Sequence, residues 1–146
     1  MSDLKLDLSP LEGAVRSLGN ALGYVGDDAY MSTQPEAVQE TLRAGLIQNV
    51  EFVFEICTKM LKRRLELDGR PGTDVERATF RGLIRLAFEA SLLEDPLPWF
   101  KYREMRNTTS HTYEKEKAKE VVRNAPAFLA DAMAVLSELQ RRNGDD

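Results

Sequence analysis

The sequence predicts an all-α protein, an up-and-down bundle of five or six helices in one domain that spans residues 1–146. Apolar side chains recur at every third or fourth position along nearly the whole chain, which is the spacing of one helix face. No stretch of alternating β-branched residues competes for a strand. A chain of this length buries roughly 68–70% of its unfolded surface, which is enough for a real core.

The first helix is predicted to begin at Ser9 and Pro10, because serine is a common N-cap and proline suits the first helical position. Its inward face carries Leu11, Val15, Leu18 and Leu22. Glycines and aspartates between residues 23 and 28 then interrupt the chain.

The second helix is predicted to be the longest. Thr33 and Glu36 have the spacing of a capping box, so the helix should begin near Pro35 and run about thirty residues, to Leu65. Its main face carries Val38, Leu42, Leu46, Val50, Val53, Cys57, Met60 and Leu61. Its other faces carry Ile47, Phe52, Phe54 and Ile56. Such a helix is either the centre of the bundle or partly covered by a second copy, and we expect a homodimer.

A second capping box, from Thr73 to Glu76, predicts a further helix. Its inward residues are Phe80, Leu83, Ile84, Ala87 and Phe88. On another face it is expected to stack three arginines, Arg77, Arg81 and Arg85. Asp95 and Pro96 begin the helix that follows, which continues through Met105.

The last helical stretch is predicted from Glu114 to Arg142, with a break at 124–126 because proline opposes helix continuation. Its apolar stripe is Val121, Val122, Phe128, Leu129, Met133, Leu136 and Leu139. We expect residues 1–8 and 143–146 to fray, as chain ends commonly do.

The composition excludes several classes of protein. No apolar run reaches 18 residues, and the acidic N-terminus lacks the features of a signal peptide. A lone cysteine, Cys57, cannot form an internal disulfide, which favours the cytoplasm. One histidine and one cysteine cannot build a His/Cys zinc site, so we expect no metal and no cofactor.

The charge is unevenly distributed. The chain holds 20 basic and 24 acidic side chains, a net charge of −4, which argues against a protein that coats nucleic acid. Residues 59–106 nevertheless hold 11 basic and 8 acidic side chains. This segment could present a basic face, or it could form ordinary solvated helix surfaces with ion pairs.

The stretch 106–113 has the strongest chemical character, since it contains the single histidine. Threonines and serine at 108–110 compete for backbone hydrogen bonds, so the helix should end there and leave His111 and Tyr113 on one side of an extended segment. Histidine transfers protons near neutral pH, and the arginine fork binds phosphate. Arg106 and His111 therefore suit metal-free cleavage of RNA, whose 2′-hydroxyl is an internal nucleophile. Alternatively, both cations only complement the dipole of a helix end, with Tyr113 packed nearby.

Two segments carry a resemblance to a known family. Residues 46–55 followed by Lys59, and residues 99–114 with Arg106, His111 and Tyr113 in an R-x4-H-x-Y pattern, are similar to HEPN-domain proteins of the nucleotidyltransferase substrate-binding type, the HepT toxins. The resemblance implies a HEPN-like homodimer with the arginine and histidine of both protomers in a shared cleft.

The same resemblance implies an activity. It implies a metal-independent endoribonuclease toxin, with His111 as acid and base, Arg106 as the phosphate and transition-state group, and Asn107 as a supporting contact. It also implies a partner, a minimal nucleotidyltransferase antitoxin that transfers AMP from ATP to Tyr113.

Two alternatives remain open at this point. We add Lys101 and Arg103 as a cationic rim for RNA, although a solvated pair with Glu104 is equally consistent with the sequence. The alternative function is a non-catalytic partner subunit that presents a substrate or nucleotide to a nucleotidyltransferase.

Overall fold

The computed structural model describes residues 5–69, 71–111 and 114–144, apart from the side chain of Thr73. These residues form seven α-helices and no strand, which confirms the all-α prediction. The helices are α1 (Ser9–Val25), α2 (Asp28–Ser32), α3 (Glu36–Leu67), α4 (Gly72–Arg77), α5 (Phe80–Glu89), α6 (Leu97–Thr108) and α7 (Lys115–Arg142). A 3-10 turn, Thr109–His111, joins α6 to the segment before α7. The structure has more helices than the sequence predicted. The additional ones are short: α2 lies in a segment that was predicted to be a turn, and α4 lies where a longer helix was predicted to begin.

Helix α3 is the centre of the bundle and packs chiefly against α1 and α7. Its 32 residues confirm the prediction of a helix of about thirty residues. The predicted capping box is wrong, because Pro35 is the N-cap and no side chain caps this end. The Thr33 hydroxyl instead donates to the carbonyl of Tyr30, at 2.6 Å, and so ends α2.

Aromatic side chains fix α6 against α7. Trp99 and Phe128 are almost fully buried, and the ring of Tyr102 lies edge-on to both, with centroids 5.4 Å from Trp99 and 5.0 Å from Phe128. The Tyr102 hydroxyl donates to the carboxylate of Asp131 on α7. Burial and this bond both raise the pKa of Tyr102. These contacts hold the first half of α6 in a fixed position against α7.

The predicted second capping box is also wrong. Helix α5 begins at Phe80, and its N-cap is Thr79, whose hydroxyl oxygen accepts from the N–H of Gly82 at 3.1 Å. The break arises at Ala78, which has extended backbone angles (φ −63°, ψ 135°). Arg77 therefore ends α4, and the predicted row of three arginines is reduced to Arg81 and Arg85 on α5.

Helix α7 is continuous through Pro126, so the break predicted at 124–126 is wrong. Proline removes one backbone donor within a helix, which costs free energy. Here Ala125 and Phe128 are fully buried on either side of the exposed proline. Burial of that inward face stabilises the helix across the missing hydrogen bond.

The chain ends were expected to fray, yet their described residues are held together. Asn143 is 5% exposed, and its side chain accepts from the N–H of Leu6 at 3.1 Å and donates to the Leu6 carbonyl at 2.9 Å. Arg64 Nη1 donates to the same Asn143 oxygen at 3.3 Å. Leu8 joins the core. Leu6 and Asn143 are thus joined by contacts that only the folded bundle provides. Residues 1–4, 145 and 146 lie outside the described residues, and fraying of the chain ends stays a prediction.

Several residues on the predicted apolar faces stay at the surface. Ile47 and Phe54 of α3 are buried, whereas Phe52 is 46% exposed. Phe88 and Met133, both predicted to face inward, are about half exposed. Within the described residues, no helix is long and apolar enough to cross a membrane.

Candidate functional site

The candidate site lies where α6 ends. Arg106 is in the last turn of α6, and the hydroxyls of Thr108 and Thr109 reach back to the carbonyls of Met105 (2.8 Å) and Arg106 (2.7 Å). These bonds replace regular helical ones, and the helix tightens into the 3-10 turn. The predicted helix end is confirmed.

The 3-10 turn ends at His111. The prediction that His111 lies in an extended segment is therefore wrong. Its side chain is exposed, and its carbonyl accepts from the N–H of Glu114 at 3.0 Å. Tyr113, the predicted modification site, lies outside the described residues together with Thr112. The prediction that His111 and Tyr113 face the same way therefore stays a prediction.

Two carboxylates of α3 hold the Arg106 guanidinium. Nη2 lies 2.6 Å and Nε 3.2 Å from Oε1 of Glu55, and Nη2 lies 3.7 Å from Oε1 of Glu51. The side chain of Arg106 is 32% exposed. Because Nε and Nη2 point at the same oxygen, the plane of the guanidinium is fixed while Nη1 is directed elsewhere.

Glu51 also anchors the turn that follows Arg106. Its Oε2 lies 2.7 Å from the hydroxyl of Thr109, which is buried. Glu51 and Glu55 are one turn apart on α3, so they face the same side. A single face of α3 thus positions both the arginine and the turn that carries His111.

Sequence reasoning did not assign a role to Glu51 or Glu55, and it expected Thr109 only to help end the helix, not to contact α3. A signal was present, since the two glutamates are spaced by four residues in the part of α3 richest in apolar side chains. Two like charges one turn apart on a helix repel each other, so such a pair favours a cationic partner.

The remaining predicted site residues are all at the surface of α6. Asn107 is exposed next to Arg106, and Lys101 is exposed near the start of the helix. Arg103 is not paired with Glu104; its Cζ lies 5.0 Å from the centroid of the Phe80 ring. The structure therefore brings Arg106 together with Glu51, Glu55 and Thr109. Arg103 instead contacts Phe80.

In the described part of the chain, no group of three His, Cys, Asp or Glu residues is arranged to hold a metal ion. Cys57 is fully buried, and burial raises the pKa of its thiol to about 12. It is thus unsuited to act as a thiolate at neutral pH.

The fold and the site define the class of this protein: it is an all-α bundle whose central helix holds an arginine at the end of a neighbouring helix. Residues 6–141 match the family described as nucleotidyltransferase substrate binding protein like, and the chain belongs to that family. The resemblance found in the sequence is thereby confirmed.

Known relatives agree with this assignment. The chain is 39% identical over 142 residues, 97% of each chain, to a Haemophilus influenzae protein named "Probable ribonuclease HepT". A solved Haemophilus influenzae structure, described as the fold of a substrate binding domain of a nucleotidyltransferase, superposes with a TM-score of 0.87 at 38% identity, covering 92% of this chain and 99% of that one. A Thermus thermophilus structure has a TM-score of 0.67 at 29% identity, covering 88% and 99%.

Proposed function

We propose that this protein is the toxin of a toxin–antitoxin pair, a metal-independent endoribonuclease that a cognate nucleotidyltransferase silences by attaching AMP to Tyr113. The observation that carries the proposal is the ion pair of Arg106 with Glu55, which holds a cationic fork directly before the turn that exposes His111. The likeness to a protein named as a probable ribonuclease supports the same activity.

In the proposed reaction, His111 removes the proton of a ribose 2′-hydroxyl, and the 2′-oxygen attacks the adjacent phosphorus. The bond from phosphorus to the 5′-oxygen of the next nucleotide breaks. The products are a 2′,3′-cyclic phosphate and a 5′-hydroxyl, which takes its proton from a second histidine. Arg106 stabilises the negative charge that develops on the phosphoryl oxygens, with Asn107 as a supporting contact.

The second histidine would come from a second copy of the chain, which has only one. Phe52, 46% exposed, lies on α3 directly after Glu51 and offers an apolar surface beside the site. A homodimer about this surface would bring two Arg106–His111 pairs to one cleft. Both the dimer and the shared cleft are part of the proposal.

Modification of Tyr113 would oppose this chemistry for electrostatic and steric reasons. Tyr113 is two residues from His111 in the sequence. Each attached AMP adds a negative phosphodiester and a nucleoside, which would repel RNA phosphates and obstruct the cleft.

The activity is tested by incubating the purified, unmodified protein with single-stranded RNA in EDTA. We expect cleavage by the parent protein and none by His111→Ala or Arg106→Ala, whereas Arg123→Ala, an exposed arginine of α7, should cleave normally. Equal cleavage by the parent and the His111 variant would contradict the mechanism.

Modification is tested by intact mass after incubation with ATP and the neighbouring nucleotidyltransferase. We expect a gain of AMP units that disappears in Tyr113→Phe and persists in Tyr24→Phe, which removes an exposed tyrosine elsewhere. No gain, or a gain retained by Tyr113→Phe, would contradict this part of the proposal.

A second candidate function is a non-catalytic subunit that presents a substrate or nucleotide to a nucleotidyltransferase. The family description and the description of the Haemophilus influenzae structure favour it. It predicts that the protein binds the nucleotidyltransferase, cleaves no RNA and has no effect on growth that Arg106→Ala would relieve.

A further inference from the structure

Two arginines and two phenylalanines form a crossed contact between α5 and α6, which we name the arginine–phenylalanine cluster: Phe80, Arg81, Phe100 and Arg103. Arg81 Cζ of α5 lies 4.5 Å from the ring centroid of Phe100 on α6. Arg103 Cζ of α6 lies 5.0 Å from the ring centroid of Phe80 on α5. The two rings meet edge-on, with centroids 6.1 Å apart. Each guanidinium therefore rests on a ring of the opposite helix.

The rings are connected to the core of the bundle. Phe80 lies 5.6 Å, centroid to centroid, from Phe54 of α3, and Phe54 in turn lies 6.5 Å from Phe128 of α7. Phe54 and Phe128 are buried, while Phe80 and Phe100 are partly buried. The surface on which the two arginines rest is thus a fixed extension of the core, and the guanidinium positions are restricted before any ligand binds.

Neither guanidinium of the cluster has a carboxylate partner within 4.0 Å among the described residues, in contrast to Arg64, Arg106 and Arg142. Both side chains are exposed. A contact with the face of a ring uses no hydrogen-bond acceptor, so the N–H donors stay available for oxygen ligands. Paired N–H donors on a planar cation match the oxygens of a phosphodiester.

The cluster adjoins the candidate site. Arg103 precedes Arg106 by three residues on α6, so the two side chains are neighbours on the helix surface, with Cβ atoms about 5–6 Å apart. The difference between them is their partner: Arg106 is held by carboxylates, and Arg103 by a ring. Arg81 extends the same cationic surface onto α5.

We propose that Arg81 and Arg103 form a second phosphate-binding subsite, which takes a phosphodiester of the RNA strand beside the one that Arg106 contacts. The inference rests on the proposed ribonuclease function and adds to it the part of the surface along which the strand lies. The subsite binds backbone phosphate and carries no base specificity.

The experiment measures binding of a fluorescent single-stranded RNA by anisotropy, in a His111→Ala parent that does not cleave it. Arg81→Gln and Arg103→Gln should each weaken binding about tenfold, and replacing both should reduce the magnitude of the slope of log K against log salt by about 0.7, the value for the one single-strand phosphate that the subsite takes. Arg85→Gln is the matched control, an exposed arginine of α5. It should change affinity less than about twofold and leave the salt slope unaltered.

Lysine variants separate the effect of the positive charge from the effect of the ring contact. Arg81→Lys and Arg103→Lys keep the charge, so they should retain the parent salt slope even where the ring contact is weakened. Parent affinity and slope in both glutamine variants would overturn the subsite while the ribonuclease proposal stands. No RNA binding by the parent, and no cleavage by the unmodified protein, would overturn the proposed function and the subsite with it.

Discussion

Arg106 of α6 donates through Nη2 to Oε1 of Glu55 on α3 at 2.6 Å, although 51 positions separate the two residues in the chain. Both side chains are partly exposed, 32% and 48%. A pair at that exposure contributes little to stability, about 0–1 kcal/mol. Its consequence is therefore geometric, because it fixes the plane of the guanidinium beside the turn that carries His111.

Glu55→Ala should lower kcat for RNA cleavage about tenfold, with little change in KM, because Arg106 keeps its charge and loses its fixed orientation. Glu55→Gln should restore part of the rate, since an amide oxygen still accepts from Nε and Nη2. Steady-state cleavage in EDTA provides the measurement. Glu104→Ala, an exposed glutamate of α6 without an ion pair in the described structure, is the control. Equal kcat values for the variants of Glu55 and Glu104 would exclude a positioning role.

Thr109→Val should destabilise the protein by about 1–2 kcal/mol, because it removes a buried hydroxyl 2.7 Å from Glu51 and leaves that carboxylate without this partner. Cleavage should fall as the turn before His111 loosens. Thr108→Val is the matched control, since among the described residues the Thr108 hydroxyl bonds only to the nearby carbonyl of Met105. Urea unfolding compares the two, and a loss in Thr108→Val as large as in Thr109→Val would contradict the role of Glu51.

Asn143→Ala should destabilise the protein by about 2–3 kcal/mol, because it removes the bonds that join Leu6 and Arg64 to the end of α7. Arg64 keeps its pair with Asp68 at 2.7 Å, so no isolated charge is buried. Asn20→Ala on the exposed side of α1 is the control and should be nearly neutral. A midpoint of urea unfolding that is the same in both variants would show that the chain ends do not contribute to the cooperative unit.

Acid should remove a stabilising contribution of Glu138. Hydrogen bonds from Arg141, and then from Arg142, lower the pKa of this carboxyl below its ordinary value of 4.5. The unfolded state therefore binds the proton more readily, and the contribution is complete above the ordinary pKa and is lost as the pH falls through the lowered one.

We therefore expect Glu138→Gln to be less stable than the parent at pH 7, and this difference in unfolding free energy to shrink as the pH falls below about 4.5. Urea unfolding at a series of pH values measures it. A difference that stays constant with pH would mean that the charge of Glu138 is not what the two arginines stabilise.

The sequence by itself determined those features that depend on neighbours in the chain. The three-to-four spacing of apolar residues predicted a helix of about thirty residues that ends at Leu65, and α3 runs from Glu36 to Leu67. The competition of Thr108 and Thr109 for backbone carbonyls predicted where α6 stops. The R-x4-H-x-Y pattern pointed to the family, which the match over residues 6–141 established.

Only the tertiary structure decided which side chains meet across the bundle. Neither the partnership of Arg106 with Glu55 nor the crossed contacts of Arg81 and Arg103 can be deduced from spacing along one helix. Pro126 is likewise kept helical by burial of Ala125 and Phe128, which overrides its local preference. The physical reason is the same in each case: local propensity sets the helices, but their packing sets the distances between residues that are far apart in sequence, and the candidate site is built from those distances.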